Sequence, residues 1–152
     1  MMKKVQISQI KKVREGTGAS VIDVKKALEE AGGDERKARE LLRQKGFEKA
    51  EKKAGRTVSA GRIFTYVHHS GTVGSMVSLV CETDFVARTD EFQLLGREIA
   101  MQVASMNPVN VDDLMKQEYI REPGKTIETL VKEVIAKTGE NIKINQIARF
   151  EI

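Results

Sequence analysis

Two β-rich runs separated by one tight turn set the first limit on this fold. Arg62 to His69 is rich in β-branched and aromatic side chains, Val73 to Cys81 is fairly apolar on both faces, and Ser70 and Gly71 between them supply the turn. A hairpin of this kind needs helices or further strands to cover its apolar side, and the rest of the chain offers both. Downstream, Phe92, Leu95, Ile99, Val103 and Met106 recur at spacings of three and four until Asn107 and Pro108 stop the pattern. A short helix is expected near Val111 to Gln117. Ile127, Leu130, Val131, Val134 and Ile135 mark another that stops before Gly139. The last run places Ile142, Ile144, Ala148, Phe150 and Ile152 on one face, with Gln146 the exception, and reads as a strand returning to the hairpin.

The segment before the hairpin has a different period. Ile7, Ile10 and Val13 repeat at helical spacing until Gly16, Thr17 and Gly18 break the pattern. Ser20 with Asp23 three residues on is a capping signature for a second helix, lined by Val21, Val24, Ala27, Leu28 and Ala31 and ended by Gly32 and Gly33. Asp34 caps a third, whose Ala38, Leu41 and Leu42 face inward and which is expected to end near Gly46. The predicted organisation is a three-helix module over 1–48, a partly helical linker over 49–57 and a body over 58–152. The fold class is α+β: helices first, then an antiparallel sheet of at least three strands packed by helices. A core of about 45 residues is marginal alone, so the front module is expected to lean on the body or on a partner.

The net charge of +4 is unevenly spread: residues 1–56 carry 16 Lys/Arg against 9 Asp/Glu, and residues 57–152 carry 10 against 13. A basic front therefore precedes a mildly acidic body, and its field suits an acidic protein surface or a nucleic-acid backbone. No apolar run approaches the length of a membrane span, and MMKKVQISQIKKV lacks the apolar stretch of a secretory signal, so a cytoplasmic protein without membrane contact is expected. One cysteine, Cys81, fits a reducing compartment and gives neither a disulfide framework nor a zinc pattern.

Residues with chemical potential are few. His68 and His69 are adjacent and on a strand would point to opposite faces, so they cannot share a ligand and read as solvated histidines at a strand end. Cys81 beside Glu82 has no histidine at a nucleophile spacing and reads as a small buried side chain. Asp112 and Asp113 suit the first turn of a helix as well as they suit acid/base work. Phosphate-binding and zinc-protease motifs are missing from the sequence, so neither a catalytic residue nor a metal or cofactor is assigned. Lys3, Lys4, Lys11, Lys12, Lys25, Lys26, Lys37 and Arg39 could track phosphates, with few aromatics among them to stack bases; a solvated helix face explains them equally.

Thr83-Asp84-Phe85-Val86-Ala87-Arg88, between a strand and a helix, is the segment with the clearest binding potential. Thr83 can cap the following turn and hold Phe85 outward, where the ring would anchor in a partner's pocket. An inward ring, buried in the core, is equally open from the residues alone.

TDFVA, with LVCE before it and FQLLGREIAMQVASMNP after it, resembles a signature of the elongation factor Ts family. REGTGASVIDVKKALEEAGGDERKARELLRQKG looks like that family's amino-terminal module, whose three helices resemble a ubiquitin-associated domain. AKTGENIKINQIARFEI is similar to its GEN-containing return strand. The three matches follow the family's order and cover most of the chain, which resembles a short form lacking the second half-repeat and coiled-coil insertion of longer members. The resemblance implies a nucleotide-exchange factor without covalent catalysis and without a cofactor of its own. Such a factor binds elongation factor Tu loaded with GDP, weakens its hold on Mg²⁺ and phosphates, and needs no direct nucleic acid. It further implies that Asp84 and Phe85, framed by Thr83, Val86 and Ala87, wedge against the GTPase domain. Arg14, Val21, Ile22 and Lys25 match positions that touch the same domain, Val21 and Ile22 standing where many relatives carry Met-Met. Short forms of the family can assemble through the body, so a homodimer is expected. A basic RNA- or ribosome-associated binding protein is the alternative reading.

Overall fold

The computed structural model describes residues 4–152; Lys3, counted above among the basic residues, lies outside them. Helix α1 (Ile7–Thr17) ends on Gly18, whose φ of 69° lets its N–H return to the Arg14 carbonyl. Helix α2 (Val21–Glu30) begins on Ser20, whose hydroxyl accepts from the Asp23 amide. Helix α3 (Glu35–Lys53) begins on Asp34, which accepts from the Arg36 and Lys37 amides. Val13, Val24, Ala27, Leu28, Ala38 and Leu42 close a small core among the three helices.

The sequence reading ends α3 near Gly46, but the helix runs on to Lys53. Gly46 is an approach point rather than a terminator. A Cβ there would stand 3.1 Å from the Ala136 Cβ, and this closeness lets α3 lie along helix α7 (Ile127–Thr138). Beyond that crossing, Ala50 enters the core of the body.

Strands β1 (Ala60–Val67), β2 (Val73–Cys81) and β3 (Ile142–Glu151) form one antiparallel sheet in the order β1-β2-β3. Helices α4 (Asp84–Ala87), α5 (Asp90–Met106), α6 (Val111–Lys116) and α7 pack on it. Phe64, Val77, Leu79 and Ile144 from the sheet meet Phe92, Leu95 and Ile99 from α5 and Val131 and Ile135 from α7. Gly96 lets α5 settle onto the Phe64 ring, since a Cβ there would fall within 3.0 Å of three ring atoms. Gln102 is fully buried; its amide donates to the Glu118 carbonyl and accepts from the Ile120 amide, which ties the loop before α7 to α5.

Strand β3 departs from the predicted face. Ser78 pairs with Gln146 but Leu79 pairs with Ile144, so Asn145 is an extra residue at a bulge. Ile142 and Ile144 are buried as expected, and the bulge then reverses the alternation. Ile147 packs against the core, whereas Ala148 and Phe150 join Gln146 on the opposite face. The histidines lie at a strand end as expected, but beyond the strand rather than on it. They sit in the turn after β1, with ring centroids 4.0 Å apart and His68 Nδ1 bonded to the Ser70 hydroxyl, because the strand stops at Val67. Asp112 and Asp113 lie in the first turn of α6, and Asp113 accepts from the Val109 amide. Cys81 is buried at the end of β2, and burial pushes its thiol pKa up.

Candidate functional site

The corner after β2 is built by local capping. Thr83 is extended (φ −128°, ψ 153°) and its hydroxyl accepts from the Val86 amide at 3.3 Å, which starts the single turn α4. Thr89 ends the corner: its hydroxyl donates to the Val86 carbonyl at 2.8 Å and accepts from the Phe92 amide, so the cap of α5 also closes α4. Gln93 Nε2 donates to the Ala87 carbonyl at 2.8 Å. Four consecutive helical residues face opposite ways. Phe85 is 82% exposed, while Val86 and Ala87 are 4% and 0% exposed.

This division corrects part of the expected contact set. Thr83, Asp84 and Phe85 are exposed, but Val86 and Ala87 sit in the body's core and cannot meet a partner. Their role is to seat the turn, because two buried side chains on one side of it force Phe85 to the other. The inward alternative for Phe85 does not occur.

Asp84 does not project freely. Arg62 Nη2 reaches Asp84 Oδ1 at 2.8 Å and Arg88 Nη2 reaches Oδ2 at 2.6 Å, so both carboxylate oxygens are held. The hydrogen bond from Arg62, reinforced by Arg88, keeps the Asp84 carboxyl below the usual carboxylate range. Arg62 is itself oriented by donating to the Gly61 carbonyl.

A second layer comes from the turn between α7 and β3. Glu140 Oε1 accepts from the Thr83 amide at 2.9 Å and Glu140 Oε2 accepts from the Thr83 hydroxyl at 2.7 Å. The Asn141 amide donates to Glu82 Oε1 at 2.8 Å, and Asn141 Nδ2 donates to the carbonyls of Ala54 and Arg56. Arg56 pairs with Glu82 at 3.6 Å. The turn thus joins the corner to the end of α3. Arg62, Glu82, Glu140 and Asn141 are the site residues to which the sequence reading gives no role, although the LVCE string contains Glu82 and the GEN string contains Glu140 and Asn141.

Arg14, Val21, Ile22 and Lys25 are all exposed in the front helices. Val21 and Ile22 open α2, with Ile22 68% exposed, and Lys25 lies 4.0 Å from Glu29. Among the described residues no hydrogen bond or ion pair joins these four to the Phe85 corner; α3 is the element that links the two regions. The face of the sheet away from the helices is a third exposed surface. Ile63, Val67, Met76 and Phe150 lie on it uncovered, Phe150 being 78% exposed. Among the described residues no helix is long and apolar enough to cross a membrane, and no group of three His, Cys, Asp or Glu could hold a metal ion.

The family model for elongation factor Ts matches residues 82–152, from the corner through β3. The chain is 42% identical over 191 aligned positions to an elongation factor Ts of Thermotoga petrophila, covering 97% of this chain and 96% of that one. A Thermotoga maritima relative of the same name is 41% identical with the same coverage. An elongation factor Ts of Aquifex aeolicus is 47% identical over 152 positions, and there the chain spans about half (52%) of the relative's length. These matches define a translation elongation factor. This chain belongs to the elongation factor Ts family.

Proposed function

We propose that this protein is a cytoplasmic guanine nucleotide exchange factor that binds elongation factor Tu carrying GDP and promotes GDP release without covalent chemistry. The observation that carries the reading is the outward Phe85 ring on a turn fixed at both ends. An exposed aromatic costs solubility and stabilises nothing within its own chain, but on a rigid mount it can enter an apolar pocket without losing much side-chain freedom. The ring and Asp84 act next to the partner's magnesium and phosphates, while Arg14, Val21, Ile22 and Lys25 contact the same GTPase domain. Because Asp84 is already paired with Arg62 and Arg88, it enters the complex as part of an ion network rather than as a free charge.

Exchange by this route is thermodynamic linkage. The factor favours the nucleotide-free GTPase, and by reciprocity GDP weakens the factor's binding to the same degree. Truncating a buried aromatic anchor costs about 2 kcal/mol or more, so Phe85→Ala should slow exchange about thirtyfold. Stopped-flow release of fluorescent GDP from purified elongation factor Tu tests this; release at the normal rate by the variant would remove Phe85 from the mechanism.

The body is the homodimer surface in this reading. Ile63, Val67, Met76 and Phe150 give the outer sheet face an exposed apolar patch, which suits a second copy of the same face across a twofold axis. Nucleic-acid binding is the weaker reading because few aromatics lie among the front basic residues to stack bases and part of that charge is paired within the chain. Lys12 pairs with Glu35, Lys25 with Glu29, Lys45 with Glu30 and Lys49 with Asp23. Phosphate-dominated binding would fall steeply with salt, whereas a complex driven by the aromatic wedge should persist.

A further inference from the structure

The turn α4 has four residues and closes too few hydrogen bonds to hold its own shape, so the direction of Phe85 is set from outside. Val86 and Ala87 fix it from below, Thr89 from one end, and Glu140 from the other. The contact with Glu140 differs in kind from the rest. A hydroxyl has one proton, and Thr83 gives it to a carboxylate 57 residues away while its lone pair faces the Val86 amide. With the Thr83 amide held by the other carboxylate oxygen, both hydrogen-bond donors of the capping residue are bound by one carboxylate.

We infer that Glu140 is a positioning residue for Phe85: its carboxylate acts through Thr83 to fix the line along which the ring meets the partner. The inference rests on the exchange reading above and adds a residue from another element to it. Glu140 itself is partly exposed and leaves no cavity when shortened, so its removal should loosen the corner without unfolding the body.

The test uses the full chain and stopped-flow GDP release from elongation factor Tu at saturating factor, with thermal melts confirming that each variant is folded. Glu140→Ala should lower the rate about tenfold, two charge-assisted hydrogen bonds being lost. Thr83→Val, which keeps the shape and removes the hydroxyl, should behave similarly. Glu140→Gln should stay within about threefold of wild type, because its amide oxygen can accept from the Thr83 N–H and its NH₂ can donate to the hydroxyl. Added to Phe85→Ala, Glu140→Ala should cause no further loss, since a positioning residue has nothing left to position. In the free protein, Glu140→Ala should raise amide exchange at Thr83 and Val86 about tenfold. Normal release by Glu140→Ala alongside slow release by Phe85→Ala would overturn the role of Glu140 and leave the exchange reading standing. Multiplying losses in the double variant would overturn it as well. Normal release by Phe85→Ala would sink the exchange reading and this inference together.

Discussion

Replacing Gly96 by alanine sets two effects of opposite sign against each other. Gly96 lies inside the 17-residue helix α5, where alanine is favoured over glycine by about 1 kcal/mol on propensity alone. Packing opposes this. The new Cβ would fall within 3.0 Å of three atoms of the Phe64 ring, whereas carbon atoms rest at ~3.5 to 4.0 Å. The ring has little room to withdraw. It is 7% exposed, its centroid is 6.0 Å from that of Phe92, and its backbone is registered against Val77 in the sheet. Overpacking of this depth belongs at the upper end of the usual range, about 3 kcal/mol, so the net effect should be destabilisation by about 2 kcal/mol. In a chain of this size that lowers the melting temperature by about 4 to 8 °C. Urea unfolding followed by far-UV circular dichroism should show a lower midpoint at an unchanged slope. Adding Phe64→Leu should recover at least about 1 kcal/mol of the loss, since the shorter side chain makes room. A midpoint raised by Gly96→Ala would show that propensity wins and that α5 does not sit as close to the sheet as described.

Asn141→Ala should cost about 1 to 3 kcal/mol in the same assay, because it strips the carbonyls of Ala54 and Arg56 of a buried partner. Phe150→Asp places a charge on the apolar outer sheet face, so a homodimer formed there should become a monomer in equilibrium sedimentation at micromolar concentration; a wild-type chain already monomeric would refute the dimer. Asp84, with its folded-state pKa lowered by Arg62 and Arg88, contributes stability that is present above the unfolded carboxylate range and is lost as pH falls through the folded value. Asp84→Asn should therefore be less stable than wild type near neutrality, and the two urea midpoints should converge in acid.

What the sequence made legible was local. The caps at Ser20, Asp34 and Thr83 depend on residues two or three apart, and all three caps are present. The hairpin and α5 were readable because their periodicities run for eight residues or more. The misreadings involve distant partners. Asn145 looks like any strand residue until β2 is beside it and the register slips, and Gly46 looks like a helix end until α7 lies against it. At the candidate site, the string Thr83 to Ala87 was visible, but its division into exposed Phe85 and buried Val86 and Ala87 depends on where α5 docks. Glu140 could not be found from the chain order, since nothing local marks a carboxylate as the partner of a threonine 57 positions earlier.

Helix α3 gives Ala38 and Leu42 to one hydrophobic cluster and Ala50 to the other, with two turns of unbroken helix between. Heat or denaturant that frays the front helices must therefore tug on the sheet through a shared rod. The chain should lose both clusters in a single cooperative step, and a protease given time to nick α3 would weaken the two halves at once.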